Sequence, residues 1–197
     1  TEVQEKRLEE NVDFNTMLLL DANYKIVFVI FYSAIIYHLA KIMYAKGEQM
    51  PRHIAFSGNG SKVIRILTSS DSTLEKFTIK IFEKVYAQKY PSDGLTILHN
   101  VDNPKEVTCK GGLSNPIKQS YDDITETKIV YKSVNDGVDA FIGSESYADI
   151  NEKYLNNVVD EVKTFIRFVF ELNKEFSFKN NFDSSEVSLN IAQLECM

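Results

Sequence analysis

Between Tyr24 and Lys46 the chain reads YKIVFVIFYSAIIYHLAKIMYAK, with no glycine or proline to interrupt it. A stretch of this kind has few fates. Lys41 and Lys46 fall in what would be the last turns, Gly47 takes the position after a helix end, and Pro51 follows. That is the punctuation of a helix C-terminus. The spacing therefore predicts a helix over 24–46, roughly 35 Å long at ~1.5 Å per residue. Two rival readings exist. Ile26 to Ile30 is rich in β-branched residues, which favour strands. A membrane span is the other, but the unbroken apolar run from Ile26 to Tyr37 contains Ser33 and falls short of the ~20 residues a span needs. His38, Lys41 and Lys46 then break it. A helix that is apolar all round and too short to span is one buried between layers. On that reading even Ile35 is a core position and there is no membrane span.

Downstream, Arg52 to Phe56 reads as a strand, 57–61 as a tight polar loop and Ser61 to Leu67 as a helical start. Residues 72–88 form an amphipathic pattern with Leu74, Phe77, Ile81, Phe82, Val85 and Tyr86 on one face, and Ser72 with Glu75 matches a capping box. Pro91 to Gly94 is a turn and Leu95 to His99 a strand. Asn103-Pro104-Lys105-Glu106 opens a further helix ending near Gly111-Gly112. Residues 114–126 are polar, 127–133 (TKIVYKS) reads as a strand, and Asp149 with Glu152 opens a long helix. Its stripe of Leu155, Val158, Val159, Val162, Phe165, Ile166, Val169 and Leu172 predicts docking along its whole length. The tail from Lys174 is polar with scattered apolar residues.

The unit with chemical content is strand, Ser57-Gly58-Asn59-Gly60-Ser61-Lys62, helix. A glycine-rich turn at a helix N-terminus lets backbone N–H groups approach a phosphate, and the helix dipole favours the anion. Glycine is required where a Cβ would block that approach or where φ is positive. The same pattern serves equally as a turn closing a strand–helix connection. It is neither a P-loop, since Lys62 is followed by Val63, nor a dinucleotide fingerprint, since the third glycine is missing.

The order of these elements resembles the second half of the actin, heat-shock chaperone and sugar kinase superfamily. IAFSGNGSKVIRIL is similar to its adenosine-binding loop, with Gly58 as the first glycine. NPKEVTCKGGL is similar to the chaperones' Asn-Pro-x-Glu segment and the small residues after it. The resemblance spans about 24–115, and Asn59 departs from it by standing at the loop's second glycine. It implies an α/β fold, a ribonuclease H-like half-domain with a mixed sheet flanked by helices over 1–115. Residues 116–197 would be a helical appendage or insertion. It also implies a cofactor, ATP, bound by Gly58, Asn59, Gly60, Ser61 and Lys62, with magnesium in the intact parent.

The superfamily's Asp-x-Gly-Thr hairpins, which hold the metal and the outer phosphates, do not occur in these 197 residues. The expectation is thus an adenosine-contacting half without catalytic residues, completed by an N-terminal half that carries them. The start at Thr1 with TEVQEKRLEE fits a piece of something longer. The alternative is a degenerate actin-like fold serving as a protein-interaction scaffold, which Asn59 and a supply of thirteen Phe and ten Tyr would suit. A net charge of -6 argues against a nucleic-acid partner, because phosphate neutralisation needs clustered Lys and Arg. Cys109 and Cys196 fit no zinc or redox spacing and point to reduced thiols in a cytoplasmic protein. His38, His53 and His99 share no metal-ligand spacing. Asp122-Asp123, Asp139, Glu145 and the acidic run over 144–161 read as solvated faces.

Overall fold

The structure, a computed structural model, describes residues 21–58, 61, 63–99 and 152–187. Helix α1, Ala22–Ala45, begins two residues before the predicted start because Asp21 caps it, its carboxylate accepting from the backbone N–H groups of Asn23 and Tyr24. It ends as its sequence dictates. Gly47 lies at φ +70, its N–H donates to Tyr44, and the Glu48 N–H reaches back to Met43. This pair of bonds is a Schellman motif, which satisfies carbonyls that would otherwise be orphaned. The strand alternative for 26–30 is thereby excluded. By length and composition α1 is also apolar enough to cross a membrane.

Strand β1, His53–Phe56, pairs in parallel with β2, Thr96–His99, with His53 opposite Thr96 and Phe56 opposite His99. Between them lie the short α2, Ile64–Leu67, and the longer α3, Asp71–Tyr86. Parallel strands require such a crossover. The described chain is therefore helix-rich α/β with a two-stranded parallel sheet. The cap of α3 is Ser70, whose hydroxyl accepts from the Thr73 N–H. The expected Ser72 cap is a correction: Ser72 lies inside the helix, and Glu75, instead of closing a capping box, accepts from the Ile97 N–H and ties α3 to β2.

Helix α4, Glu152–Phe176, turns at Ser177 into α5, Phe178–Phe182. The core joins all of these. Val29, Tyr32 and Ile36 of α1, Phe77 and Ile81 of α3, and Val169, Leu172, Phe178 and Phe182 of the last two helices are buried in one cluster. Ile54 and Ile97 face it from the sheet, while Leu98 on the opposite face is 50% exposed.

Two expectations are revised here. The α4 stripe docks only in part: Val169 and Leu172 are buried, but Leu155, Val159 and Val162 are exposed. The geometry gives the reason. Tyr37 packs on Phe165 and Phe168 while Lys41 meets Glu161, so α1 and α4 run antiparallel. Helix α1 ends at Ala45, so Leu155 in the first turn of α4 lies beyond it, whereas Val162 lies level with α1 and borders the open cavity between the two helices. Nor is α1 buried all round. Ile35 is 45% exposed, whereas its neighbour Ile36 is 1% exposed. The residues predicted for the helix near 103–112 and the strand near 127–133 lie outside the described residues.

Ile36→Asp should therefore prevent folding, since an unpaired carboxylate in an apolar core costs several kcal/mol (about 4 or more). Ile35→Asp should cost under about 1 kcal/mol. Chemical denaturation of the two variants checks the contrast. Truncating Phe182, in the tail that its sequence marks as mostly polar, should cost about 3–5 kcal/mol.

Candidate functional site

The sequence-predicted loop follows directly from β1. Gly58 has φ +81, a left-handed conformation in which a side chain would be strained. A Cβ placed there meets nothing within 4 Å, so the requirement for glycine comes from the backbone and not from crowding. Ser61 closes the turn twice over. Its N–H donates to the Gly58 carbonyl at 3.1 Å and its hydroxyl to the same oxygen at 2.7 Å. With its proton spent there, the Ser61 hydroxyl can only accept from a ligand. Asn59, Gly60 and Lys62 lie outside the described residues. The helix behind the loop, α2, is four residues long and Val63 at its start makes no side-chain cap. It offers less dipole than the long helix that phosphate binding ordinarily exploits.

Beside the loop is an apolar cavity of about 300 Å³ at the C-terminal end of β1. Phe28, Phe31, Tyr32 and Ile35 of α1 form one wall, and Phe56, Ser57, Ser61 and α2 the other. In parallel sheets the carboxyl ends of the strands are where ligands settle. Tyr32 is fixed by a 2.6 Å contact between its hydroxyl and Thr78 Oγ1. Thr78 donates its own proton to the Leu74 carbonyl, so Tyr32 is the donor. Burial raises the Tyr32 phenol well above its ordinary range, and it stays protonated. The cavity's aromatic lining was not foreseen in the sequence, because Phe28 and Phe31 read there as generic core residues.

A second cluster has no counterpart in any sequence motif. Lys41 Nζ of α1 lies 2.5 Å from Glu161 Oε2 of α4, with side chains only 16% and 10% exposed. Lys41 also sits 5.4 Å from the centre of the Tyr37 ring. Burial, and then the negative Glu161, push the Tyr37 phenol up to about 12. His38 borders the same space and its pKa is lowered, first by burial and then by the Lys41 charge. In the sequence Glu161 was one acidic residue in a run assigned to a solvated face. Nothing local could distinguish it, since its partner is 120 positions away. His53 is exposed on β1. Among the described residues no three of His, Cys, Asp and Glu gather as a metal site would require.

Neither a family model, a curated protein nor a solved structure matches the chain.

The His38 environment has a consequence for stability. Its ordinary pKa is 6.5 and the folded value is lower, so the unfolded chain takes up this proton at higher pH than the folded chain does. The contribution of His38 to stability is full above pH 6.5 and falls as the pH drops towards the folded value. Between about pH 7 and about pH 5 the thermal midpoint should drop by less in His38→Gln than in the parent chain. Identical pH profiles for the two would refute this account of His38.

Proposed function

We propose that this chain is the nucleotide-contacting half of an actin-like, chaperone-like ATPase, incomplete as a catalyst by itself. The observation that carries the reading is the apolar cavity of about 300 Å³ at the C-terminal end of a parallel strand, closed by the Gly58–Ser61 turn. Aromatic walls from Phe28, Phe31, Tyr32 and Phe56 suit a planar ring such as adenine. Ser57 and Ser61 are the described polar groups at its edge and suit a sugar hydroxyl. On this reading the outer phosphates and magnesium are held by the other half of the protein. On this reading Gly58, Asn59, Gly60, Ser61 and Lys62 contact the sugar and α-phosphate of ATP, and the partner is the N-terminal half of the same protein. The exposed face of the parallel β1–β2 pair, with Leu98, supports that division, because parallel sheets are ordinarily covered on both faces. The protein would work in the cytoplasm without nucleic acid, with α1 as an internal helix held by Tyr32 and Thr78 and not as a membrane span.

A second reading is a fold that serves only to bind protein partners. Exposed Val27, at 59%, with Phe31 and Ile35 along α1 favours it.

Titrating adenosine and ATP into the chain separates the two. About three backbone hydrogen bonds, each worth ~0.5–1.5 kcal/mol, predict a dissociation constant near millimolar, with no ATP turnover. Gly58→Val should weaken that binding about tenfold by straining the φ +81 backbone. Micromolar ATP binding would mean that the site is complete within these residues. Absence of adenosine binding, or undiminished binding by folded Gly58→Val, would favour the protein-interaction reading.

A further inference from the structure

The cavity of about 310 Å³ between α1 and α4 shares no lining residue with the one beside Gly58. Its walls are mostly apolar and aromatic, with Tyr37 and Ile42 from α1 and Val158, Val162 and Phe165 from α4, and His38 and Lys41 of α1 border the same space. Into this lining projects the carboxylate of Glu161, nine-tenths buried. Its Oε2 takes Lys41, and among the hydrogen bonds between described residues none reaches its Oε1. A carboxylate offers about four acceptor sites, and a buried one left largely unsatisfied is costly. Two further properties restrict what would fill the space. Most of the lining is apolar, so a charged ligand would give up its hydration there for little return. The Tyr37 and Phe165 rings, with centres 5.4 Å apart, present aromatic surface to a flat molecule.

We propose that the α1–α4 cavity is a binding site for a neutral aromatic molecule carrying an N–H or O–H donor, which it gives to Glu161. The aromatic body lies against Tyr37 and Phe165, and the donor supplies what the carboxylate lacks. The size fits: an apolar protein cavity of about 150 Å³ already accepts benzene, so this one takes a substituted ring. The sequence could not have indicated the site, since it is assembled from two helices more than a hundred positions apart.

Aniline and toluene have the same shape and differ in the donor, and they serve as the probes. Titrated into the 197-residue chain and followed by NMR at the Tyr37 and Phe165 rings, aniline should bind about tenfold tighter than toluene. Benzylammonium, a cation at neutral pH, should bind more weakly than aniline. Ala34→Phe, which fills the cavity without touching the ion pair, should abolish aniline binding. Val162→Phe at the exposed rim provides the same test if the first variant does not fold. The double variant Lys41→Met with Glu161→Leu, which leaves no buried charge unpaired, should bring aniline and toluene to within about twofold of each other. Equal binding of aniline and toluene by the parent chain, tighter binding of benzylammonium, absence of aniline binding, or aniline binding unaffected by either filling variant would each overturn the proposal.

Discussion

The structure is organised around the ring of Phe77. It stands 6.0 Å from Tyr32 of α1, 5.0 Å from Phe176 at the end of α4, and 5.4 and 4.9 Å from Phe178 and Phe182 of α5. Three of the four contacts are tilted or edge-on, the arrangements that the ring quadrupole favours, each adding about 0.5–1.5 kcal/mol to simple burial. No other described residue joins α1, α3, α4 and α5 through ring contacts. The sheet depends on this packing as well. A two-stranded sheet is marginal by itself, and β1 and β2 persist because Ile54 and Ile97 lie on the layer that Phe77 helps to build.

That aromatic cluster holds the backbone in conformations it would otherwise avoid. Ser177 and Asp183, at the two ends of α5, have φ of 49 and 48. A left-handed conformation at a residue with a side chain costs roughly 1–2 kcal/mol. Burial of Phe178 and Phe182 outweighs it, at about 1.5–3 kcal/mol each. Local hydrogen bonds help: Asn173 accepts from the Phe178 N–H, and the Asn181 amide donates to the Phe176 carbonyl. The turn also brings Ser185 to the start of α1, where its N–H donates to Ala22 and its hydroxyl to Asn23. The last described residues thereby close over the first.

Polar groups inside the core set which surfaces meet. Apolar contact is nearly indifferent to a slide of one helix along another, whereas a buried hydroxyl or charge is not. Tyr32 with Thr78 fixes α1 on α3, and Lys41 with Glu161 fixes α1 on α4. Either pair, if slid by one turn, would leave an unpaired polar group out of water. Both cavities border α1 near one of these fixed points, which is why their walls are defined.

Local periodicity and punctuation were enough to set α1 with its Gly47 end, the β1–loop–α2 order, the apolar face of α3 and the position of β2. Each depends on residues within a few positions of one another, where backbone sterics and capping act. The conformation of Gly58 was legible for the same reason, since glycine is the residue that takes a positive φ freely. What the tertiary structure decided are choices between near-equivalent residues. Ile35 and Ile36 are the same side chain one position apart, and only the direction in which α1 meets α3 buries the second and exposes the first. Ser70 and Ser72 are both competent caps, and the approach of β2, which claims Glu75, settles the start of α3. Phe178 and Phe182 sit in a polar tail with no helical stripe to mark them, and Phe77 turns them into core. Glu161 looked like one solvated carboxylate among several until α1 placed Lys41 against it. Burial and ion pairing are properties of what lies opposite, and nothing within a few residues of a position in the chain encodes that.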